Sequence, residues 1–210
     1  MEHHTSVGLP QHYFIHAGYQ HRANVEHFDD TANREEWQQE VYQFAKEVAD
    51  REHLQTVCDF GCGSAFKLMR YLSNRRTIGI ETPQTCAYLR KRWPDRIWME
   101  SNYDRLAPFP VDLAIAADVI EHLENPDDLI RYLQRLTPRY IVISTPDRNL
   151  LRDGRHDGPP ANPSHTREWS FAEFHAYIGN SFEIEEHFIS SAAQATQCVL
   201  CQYRRVVAPR

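Results

Sequence analysis

The chain has 210 residues and a formal net charge of −6, and charged residues make up 25% of it. This length suits one well-buried domain and is short for two. The sequence lacks an apolar run near the ~20 residues needed to span a membrane and a secretory signal at its start, so we expect a cytoplasmic protein with no membrane partner. The acidic balance argues mildly against a broad nucleic-acid-binding surface, because such surfaces are usually basic, but it allows a local basic groove.

The hydrophobic pattern alternates between helical and strand periods along most of the chain. Residues 1–33 show no sustained period and are interpreted as an N-terminal segment or lid, and residues 34–210 as a single domain. The predicted elements of that domain are, in chain order, helix 34–50, a strand ending at residue 59, helix 66–72, strand 77–81, helix 83–92, strands 96–99 and 112–117, helix 126–136, strand 140–144, helix 170–179 and strands 182–190 and 197–206. This order predicts an α/β fold, a three-layer sandwich around a mostly parallel, seven-stranded, Rossmann-like sheet with a terminal antiparallel strand.

The first predicted strand leads directly into a glycine-rich turn. Asp59 is followed by Gly61, Cys62 and Gly63, and a helix begins at Phe66. Glycines at these positions let the backbone turn sharply and let a ligand approach without a Cβ in its way. A dinucleotide fingerprint would need a third glycine where Phe66 stands, and Asp59 would repel a diphosphate. The turn therefore favours a cationic ligand that lacks phosphate.

The run that begins at Asp59 resembles the first motif of the class I S-adenosylmethionine (SAM) methyltransferases, which commonly reads D-x-G-C-G-x-G. The chain departs only at the last glycine, which is alanine here. Glu81 ends the next predicted strand, where an acid can accept hydrogen bonds from both ribose hydroxyls. By this resemblance Asn102 lies near the adenine, a role that Ser101 or Asp104 could also take. The resemblance implies SAM as the cofactor and these residues as its ligands: Asp59, Gly61, Cys62, Gly63, Glu81, Asn102, Ala117 and Asp118.

A second group of polar residues follows the fourth predicted strand. If the chain forms a helical turn there, Asp118, Glu121 and His122 lie on one face, at positions i, i+3 and i+4. His165 lies in the long loop after the fifth strand, at the same edge of the sheet, and could join them. Two carboxylates and two imidazoles make an oxygen and nitrogen site that suits Mg²⁺, Mn²⁺, Fe²⁺ or Zn²⁺.

This pairing resembles the small-RNA 3′-terminal 2′-O-methyltransferases, which carry an acid-x-x-Glu-His run and a later His followed by Glu-Trp. The resemblance implies that the metal ligands are Asp118, Glu121, His122 and His165. The quinone-biosynthesis O-methyltransferases have a similar acid-x-x-Glu-His run. The chain departs in having aspartate at position 118 and an inserted run at 158–162. Many methyltransferases without a metal carry a Glu-His-Leu turn here, so a metal-free site with His165 or His122 as general base stays an alternative.

The loop from residue 146 to residue 169 is interpreted as part of the lid. Glu168 and Trp169 are expected to anchor this loop to the next helix. Cys198 and Cys201 have C-x-x-C spacing, but in a strand they point to opposite faces and cannot share a metal. Four arginines of the loop either bind an anionic acceptor or are solvated surface charges: Arg148, Arg152, Arg155 and Arg167.

These features favour a SAM-dependent methyltransferase that O-methylates a hydroxyl on a small molecule such as a sugar or a phenol, with or without the help of a divalent metal. The first alternative is 2′-O-methylation of RNA 3′ ends, which is less expected because the chain is short and acidic. The second is a non-catalytic SAM-fold protein that binds a partner. The complete set of acidic and glycine residues at the cofactor site argues against that second alternative.

Overall fold

The computed structural model describes residues 12–26, 28–152 and 156–203. Within these ranges the strands are β1 (Thr56–Phe60), β2 (Arg76–Glu81), β3 (Ile97–Glu100), β4 (Leu113–Ala117), β5 (Tyr140–Pro146), β6 (Glu183–Ser191) and β7 (Thr196–Gln202). The helices are α1 (Gln39–Arg51), α2 (Phe66–Leu72), α3 (Pro83–Arg92), α4 (Asp127–Leu136), α5 (Arg148–Leu151) and α6 (Phe171–Gly179), and a 3₁₀ turn spans Ile120–His122. None of these helices combines the length and the apolar content that crossing a membrane requires.

The strands form one sheet in the order β3-β2-β1-β4-β5-β7-β6. Strands β1 to β5 pair in parallel, whereas β7 pairs antiparallel with both β5 and β6. The strand order reverses between β1 and β4, and ligands of such sheets bind outside the carboxyl ends of the strands at this point. The predicted α/β fold with a mostly parallel, Rossmann-like sheet is confirmed.

Helices cover both faces of the sheet and so form the three predicted layers. One core lies between the sheet and α1, α2 and α3 and includes Leu68, whereas the other lies beneath α4 and α6 and includes Phe174. Cys198 belongs to the first core and Cys201 to the second, so the two thiols lie on opposite faces of β7. The five cysteines are all buried and free, and the C-x-x-C pair is part of the packing.

Short-range signals in the sequence set two of the helix starts. The Ser170 side chain accepts a hydrogen bond from the Glu173 amide, and the Glu173 carboxylate accepts one from the Ser170 amide, which completes a capping box at the start of α6. Thr82 caps α3, and Pro83 occupies the first helical position. Both helices begin within one residue of their predicted starts because these signals are local.

Most predicted boundaries agree with the structure to within two residues, but one helix start is wrong by five residues and one strand end is only partly described. Helix α1 begins at Gln39 rather than at residue 34, because Gln38 has a left-handed backbone with a φ of 61°. Residues 33–38 instead continue the N-terminal segment across the glycine turn. The last strand ends at Gln202, and residues 204–206 of its predicted range lie outside the described residues.

The N-terminal segment packs along the loop that follows β5. Ile15 and Tyr19 are buried in the core beside α6. The Arg22 amide donates to the Thr166 carbonyl at 2.8 Å, and the Glu26 amide donates to the carbonyl of Pro163 at 3.1 Å. These contacts bring the segment to the carboxyl edge of the sheet, where the ligand crevice lies.

Candidate active site

The glycine turn after β1 is built as its motif predicts. Gly61 and Gly63 both have left-handed backbones, with φ values of 67° and 52°. A Cβ added to Gly61 would lie 2.5 Å from Cγ2 of Val119, so a side chain here would be strained and obstructed. Ala65 also has a positive φ, of 56°, which explains physically why a glycine commonly stands at this position of the motif. The turn thus exposes backbone at the carboxyl end of β1.

Asp59 is fully buried directly before this turn. Its Oδ2 accepts a hydrogen bond of 2.8 Å from the Tyr42 hydroxyl, whereas its Oδ1 is buried with no hydrogen-bond partner among the described residues. Burial raises the pKa of Asp59 to about 8, an effect that the Tyr42 hydrogen bond and the Lys67 ammonium partly offset. Because burial disfavours its ionised form, a cationic group beside Asp59 would stabilise the carboxylate.

Glu81 lies at the end of β2, beside the glycine turn. Its Oε1 accepts from the Gly63 amide at 3.0 Å and its Oε2 from the Thr82 amide at 2.6 Å. It lines a cavity of about 220 Å³ together with Ser101 and Tyr103. Glu81 is therefore positioned by the backbone of the same turn that would hold the rest of a nucleoside.

Five residues predicted to bind the cofactor are not in the wall of this cavity, namely Asp59, Cys62, Gly63, Asn102 and Ala117. Asn102 is exposed, and its backbone carbonyl accepts from the amides of Arg105 and Leu106. Its neighbours Ser101 and Tyr103 line the cavity at this position, and Ser101 is one of the two alternatives to Asn102. The Cys62 side chain is buried in the core on the α2 side of the sheet, so only the Cys62 backbone belongs to the turn.

A larger cavity of about 430 Å³ lies on the other side of the same turn. Its wall includes Gly61 and Ala117 at the ends of β1 and β4. The predicted polar residues Asp118, Glu121, His122 and His165 line it as well. The two cavities share several lining residues, namely Phe28, Asp30, Gly61, Asp118 and His122. They form two parts of one crevice at the carboxyl edge of the sheet.

Three of the four predicted metal ligands lie close together. One ligand atom from each of Glu121, His122 and His165 falls within 4.8 Å of the others. Asp118 is not part of this group. Its backbone is left-handed, with a φ of 51°, and its Oδ1 accepts a hydrogen bond of 2.5 Å from the Ser144 hydroxyl. The predicted helical face of Asp118, Glu121 and His122 does not form, because the 3₁₀ turn begins only at Ile120.

Glu121 is the buried acid of this group. Its Oε2 accepts a hydrogen bond of 3.1 Å from the Thr145 hydroxyl, and its Oε1 is buried with no hydrogen-bond partner in the described part of the chain. Burial, together with the nearby Asp118 carboxylate, raises the pKa of Glu121 well above its ordinary value. A cation beside Glu121 would remove the cost of ionising it there.

Both histidines are held at Nδ1, and His165 also has the Asn162 side-chain amide 3.0 Å from its Nε2. His122 Nδ1 lies 2.8 Å from the Ser164 carbonyl oxygen, which can only accept, so this nitrogen carries the proton. His165 Nδ1 lies 3.0 Å from Oε1 of Glu168. Glu168 is almost fully buried, and it lines the larger cavity. The interpretation of Glu168 as a simple anchor missed this contact, although its spacing of three residues from His165 was a visible signal.

The four arginines of the loop divide into different roles. Arg167 is buried, donates to the carbonyls of Leu123 and Glu124 at 2.6 Å each and lies over the Tyr13 ring. Arg148 is also buried, and its guanidinium pairs with the Glu173 carboxylate at 2.8 Å. These two arginines stabilise the loop. Their buried guanidinium groups are not available to bind a methyl acceptor. Arg152 lines the larger cavity, whereas Arg155 lies outside the described residues.

Comparison with known proteins agrees with this geometry. A sequence family described as methyltransferase domain matches residues 26–202. No curated protein sequence matches the chain. Magnesium protoporphyrin IX methyltransferase from Synechocystis PCC 6803, solved with bound S-adenosylhomocysteine (SAH), superposes with a TM-score of 0.60 at 16% identity, over 78% of this chain and 82% of that one.

Two further solved structures are similar in fold. The methyltransferase domain of bacterial CtHen1 gives a TM-score of 0.61 at 18% identity and covers 79% of this chain and 97% of that one. The mitomycin 7-O-methyltransferase MmcR gives 0.54 at 17% identity, over 77% of this chain and 53% of that longer one. At these identities the similarity is one of fold.

The sheet order, the glycine turn and the acid at the end of β2 define a class I SAM-dependent methyltransferase. The chain belongs to the methyltransferase-domain family and is a SAM-dependent methyltransferase.

Proposed function

We propose that this enzyme transfers a methyl group from SAM to a hydroxyl of a small molecule, at a site that Glu121, His122 and His165 prepare for a divalent cation. The observation that carries the proposal is the grouping of these three side chains within 4.8 Å. They line the same cavity as Gly61 and Ala117, next to the backbone that holds the cofactor. The acceptor oxygen and the methyl group would therefore meet in one enclosure.

The donor set fits a divalent cation on three grounds. One carboxylate and two imidazoles are ligands that Mn²⁺, Fe²⁺ and Zn²⁺ accept. The orphaned Oε1 of Glu121 is a buried acceptor without a partner among the described residues. Both histidines are oriented through Nδ1 by an acceptor outside the group, as metal-ligating histidines commonly are. A cation bound there would lower the pKa of a coordinated hydroxyl.

The chain's own residues supply binding, orientation and exclusion of water. Methyl transfer requires the acceptor oxygen in line with the methyl group at about 3 Å. Phe28 is half exposed and lines both cavities, and its ring stacks on His122 with a centroid distance of 6.1 Å, so it can shield the crevice from water. If no cation is bound, His165 is the best-placed proton acceptor, because the Glu168 carboxylate would stabilise the resulting imidazolium. His122 is the second candidate for this role.

A small acceptor with an apolar body suits the cavity better than a macromolecule. The mouth of the larger cavity carries Trp37 and Leu151, which are 51% and 43% exposed. Arg152 lies beside them and can bind an anionic substituent. A volume of about 430 Å³ is in the range of pockets for small ligands. Phenols and similar hydroxyl compounds satisfy these requirements.

RNA 3′ ends are a second candidate acceptor. A vicinal diol can bind the proposed cation through both oxygens, and exposed rings such as Phe28 and Trp37 can stack on bases. The fold similarity to bacterial CtHen1 also favours this candidate. The net charge of −6 argues against it, because nucleic-acid affinity depends on neutralising phosphates.

Methyl transfer from labelled SAM tests the proposal directly. The acceptors to compare are catechol, a phenolic acid such as 3,4-dihydroxybenzoate, a sugar and a short RNA with a free 3′-terminal ribose. Each is assayed with Mn²⁺ or Mg²⁺ and with a chelator. We expect transfer to a small hydroxyl compound and about a tenfold or larger loss on chelation. Transfer to RNA alone would support the second candidate instead.

The variant His165→Ala separates the cation site from the rest of the enzyme. We expect it to lower both activity and bound Mn²⁺ by about tenfold or more while SAM binding is retained. The matched control is His175→Ala, because His175 is exposed on α6 and lines neither cavity. Full activity and full Mn²⁺ binding in His165→Ala would refute the proposed cation site.

A further inference from the structure

Asp30 belongs to the N-terminal segment, and its side chain extends to the glycine turn. A Cβ added to Gly63 would collide with the Asp30 carboxylate, so that carboxylate lies directly against the turn. Asp30 is also one of the residues that line both cavities. Asp30 therefore lies where the nucleoside part of SAM would join its amino-acid part.

Several hydrogen bonds hold the segment in this place. The Ser64 hydroxyl donates to the Asn33 carbonyl at 2.6 Å, and the Lys67 ammonium donates to the carbonyl of Arg34 at 3.3 Å. At the other end, the Gln38 amide donates to Oε1 of Gln194 in the β6–β7 connection at 3.0 Å. The segment is thus fixed both to the start of α2 and to the terminal hairpin. Its position over the turn follows from these contacts.

The glycine turn is surrounded by more negative than positive charge. Asp30, Asp59 and Glu81 all lie beside it, and Lys67 is the ammonium group that faces them. Burial, with the Glu81 carboxylate nearby, raises the pKa of Asp30 to about 6. Asp59 adds a fully buried carboxylate oxygen with no hydrogen-bond partner among the described residues. A ligand that brings positive charge would stabilise all three carboxylates.

We propose that Asp30 is a direct ligand of the cofactor and that its carboxylate binds the cationic half of SAM, which carries the sulfonium and the amino-acid ammonium. Glu81 then binds the ribose, and residues 30–38 form the part of the lid that completes the cofactor site. The proposal rests on SAM being the cofactor and is independent of the metal-assisted step. It assigns a cofactor role to a residue that the sequence motifs do not include.

Calorimetric titration with three probes tests this assignment. The probes are SAM, SAH and 5′-methylthioadenosine, which is a nucleoside without the amino-acid side chain and without positive charge. All titrations contain a chelator, so that the group of Glu121, His122 and His165 cannot contribute through a metal. The variant is Asp30→Asn, which keeps the size of the side chain. Asp29→Asn is the matched control, because Asp29 is the exposed neighbour and loses the same charge.

We expect Asp30→Asn to weaken SAM binding by about tenfold or more and 5′-methylthioadenosine binding by less than about threefold. A loss for SAM and SAH assigns the contact to the ammonium, and a loss for SAM alone assigns it to the sulfonium. Either result supports the proposal. Asp29→Asn should leave all three affinities unchanged.

Glu81→Ala gives the contrasting pattern. Since it removes the ribose ligand, it should weaken all three probes to a similar extent. An equal loss of SAM and 5′-methylthioadenosine in Asp30→Asn would instead show that Asp30 shapes the nucleoside site, and no loss would show that it lies outside the cofactor contacts. Both results would overturn the proposal. A thermal melt of each variant confirms that it is folded. SAM binding by the unmodified enzyme tests the cofactor itself, separately from the role of Asp30.

Discussion

The Nδ1 atom of His165 lies 3.0 Å from Oε1 of Glu168, and both side chains are buried at the wall of the larger cavity. The contact fixes the orientation of the imidazole ring and directs its other nitrogen, Nε2, away from Glu168. Asn162 Nδ2 lies 3.0 Å from that Nε2. Glu168 thus acts on the site through His165, as a positioning residue.

Replacement of Glu168 should impair the proposed cation site without removing one of its proposed ligands. We expect Glu168→Leu to lower Mn²⁺ affinity by about 10-fold to 100-fold, as for other partners of ligating histidines. Glu168→Gln keeps an oxygen that can accept from Nδ1 and should lose less. Titration of Mn²⁺ binding measures both effects, with Glu185→Gln on β6 as a surface control. A Leu variant with unchanged Mn²⁺ affinity would count against the positioning role.

The affinity for SAM should depend on pH through the carboxylates at the glycine turn. Burial raises the pKa of Asp30 to about 6 and that of Asp59 to about 8. A bound cation favours the ionised carboxylates, so binding releases protons, and affinity rises with pH up to about 6 through Asp30 and up to about 8 through Asp59. Calorimetry in buffers of different ionisation enthalpy measures the protons released. Asp30→Asn should remove the part of the rise that lies below about pH 6, and an affinity independent of pH would contradict the expectation.

Arg167 should be a major contributor to stability rather than to catalysis. Its guanidinium donates to the Leu123 and Glu124 carbonyls and lies over the rings of Tyr13 and Trp169. Arg167→Leu leaves these carbonyls without their donor and should lower the free energy of unfolding by about 3 kcal/mol.

Urea unfolding followed by circular dichroism measures this loss. Arg131→Leu, at an exposed arginine of α4, should change the free energy of unfolding by less than about 0.5 kcal/mol and serves as the control. An Arg167→Leu variant as stable as the parent would show that its hydrogen bonds are replaced by water.

Much of the fold follows from short-range patterns. The glycines after β1, the capping box at Ser170 and the alternation of helical and strand periods each act over a few residues, so the sequence states them directly. The position of Glu81 at the end of β2 follows as well, because parallel strands place their carboxyl ends at one edge. The fold class and the cofactor turn could therefore be predicted before the structure was known.

Contacts between distant parts of the chain determine which residues line the larger cavity. The left-handed backbone at Asp118 separates its side chain from those of Glu121 and His122. Arg167 is buried against main-chain carbonyls and therefore cannot bind a methyl acceptor. Asp30 reaches Gly63 across 33 positions of sequence. Local propensity carries no information on such approaches, since they arise from the packing of whole segments. The sequence by itself thus determined the sheet, the glycine turn and the kind of cofactor, whereas only the tertiary structure decided which acids and histidines share the site.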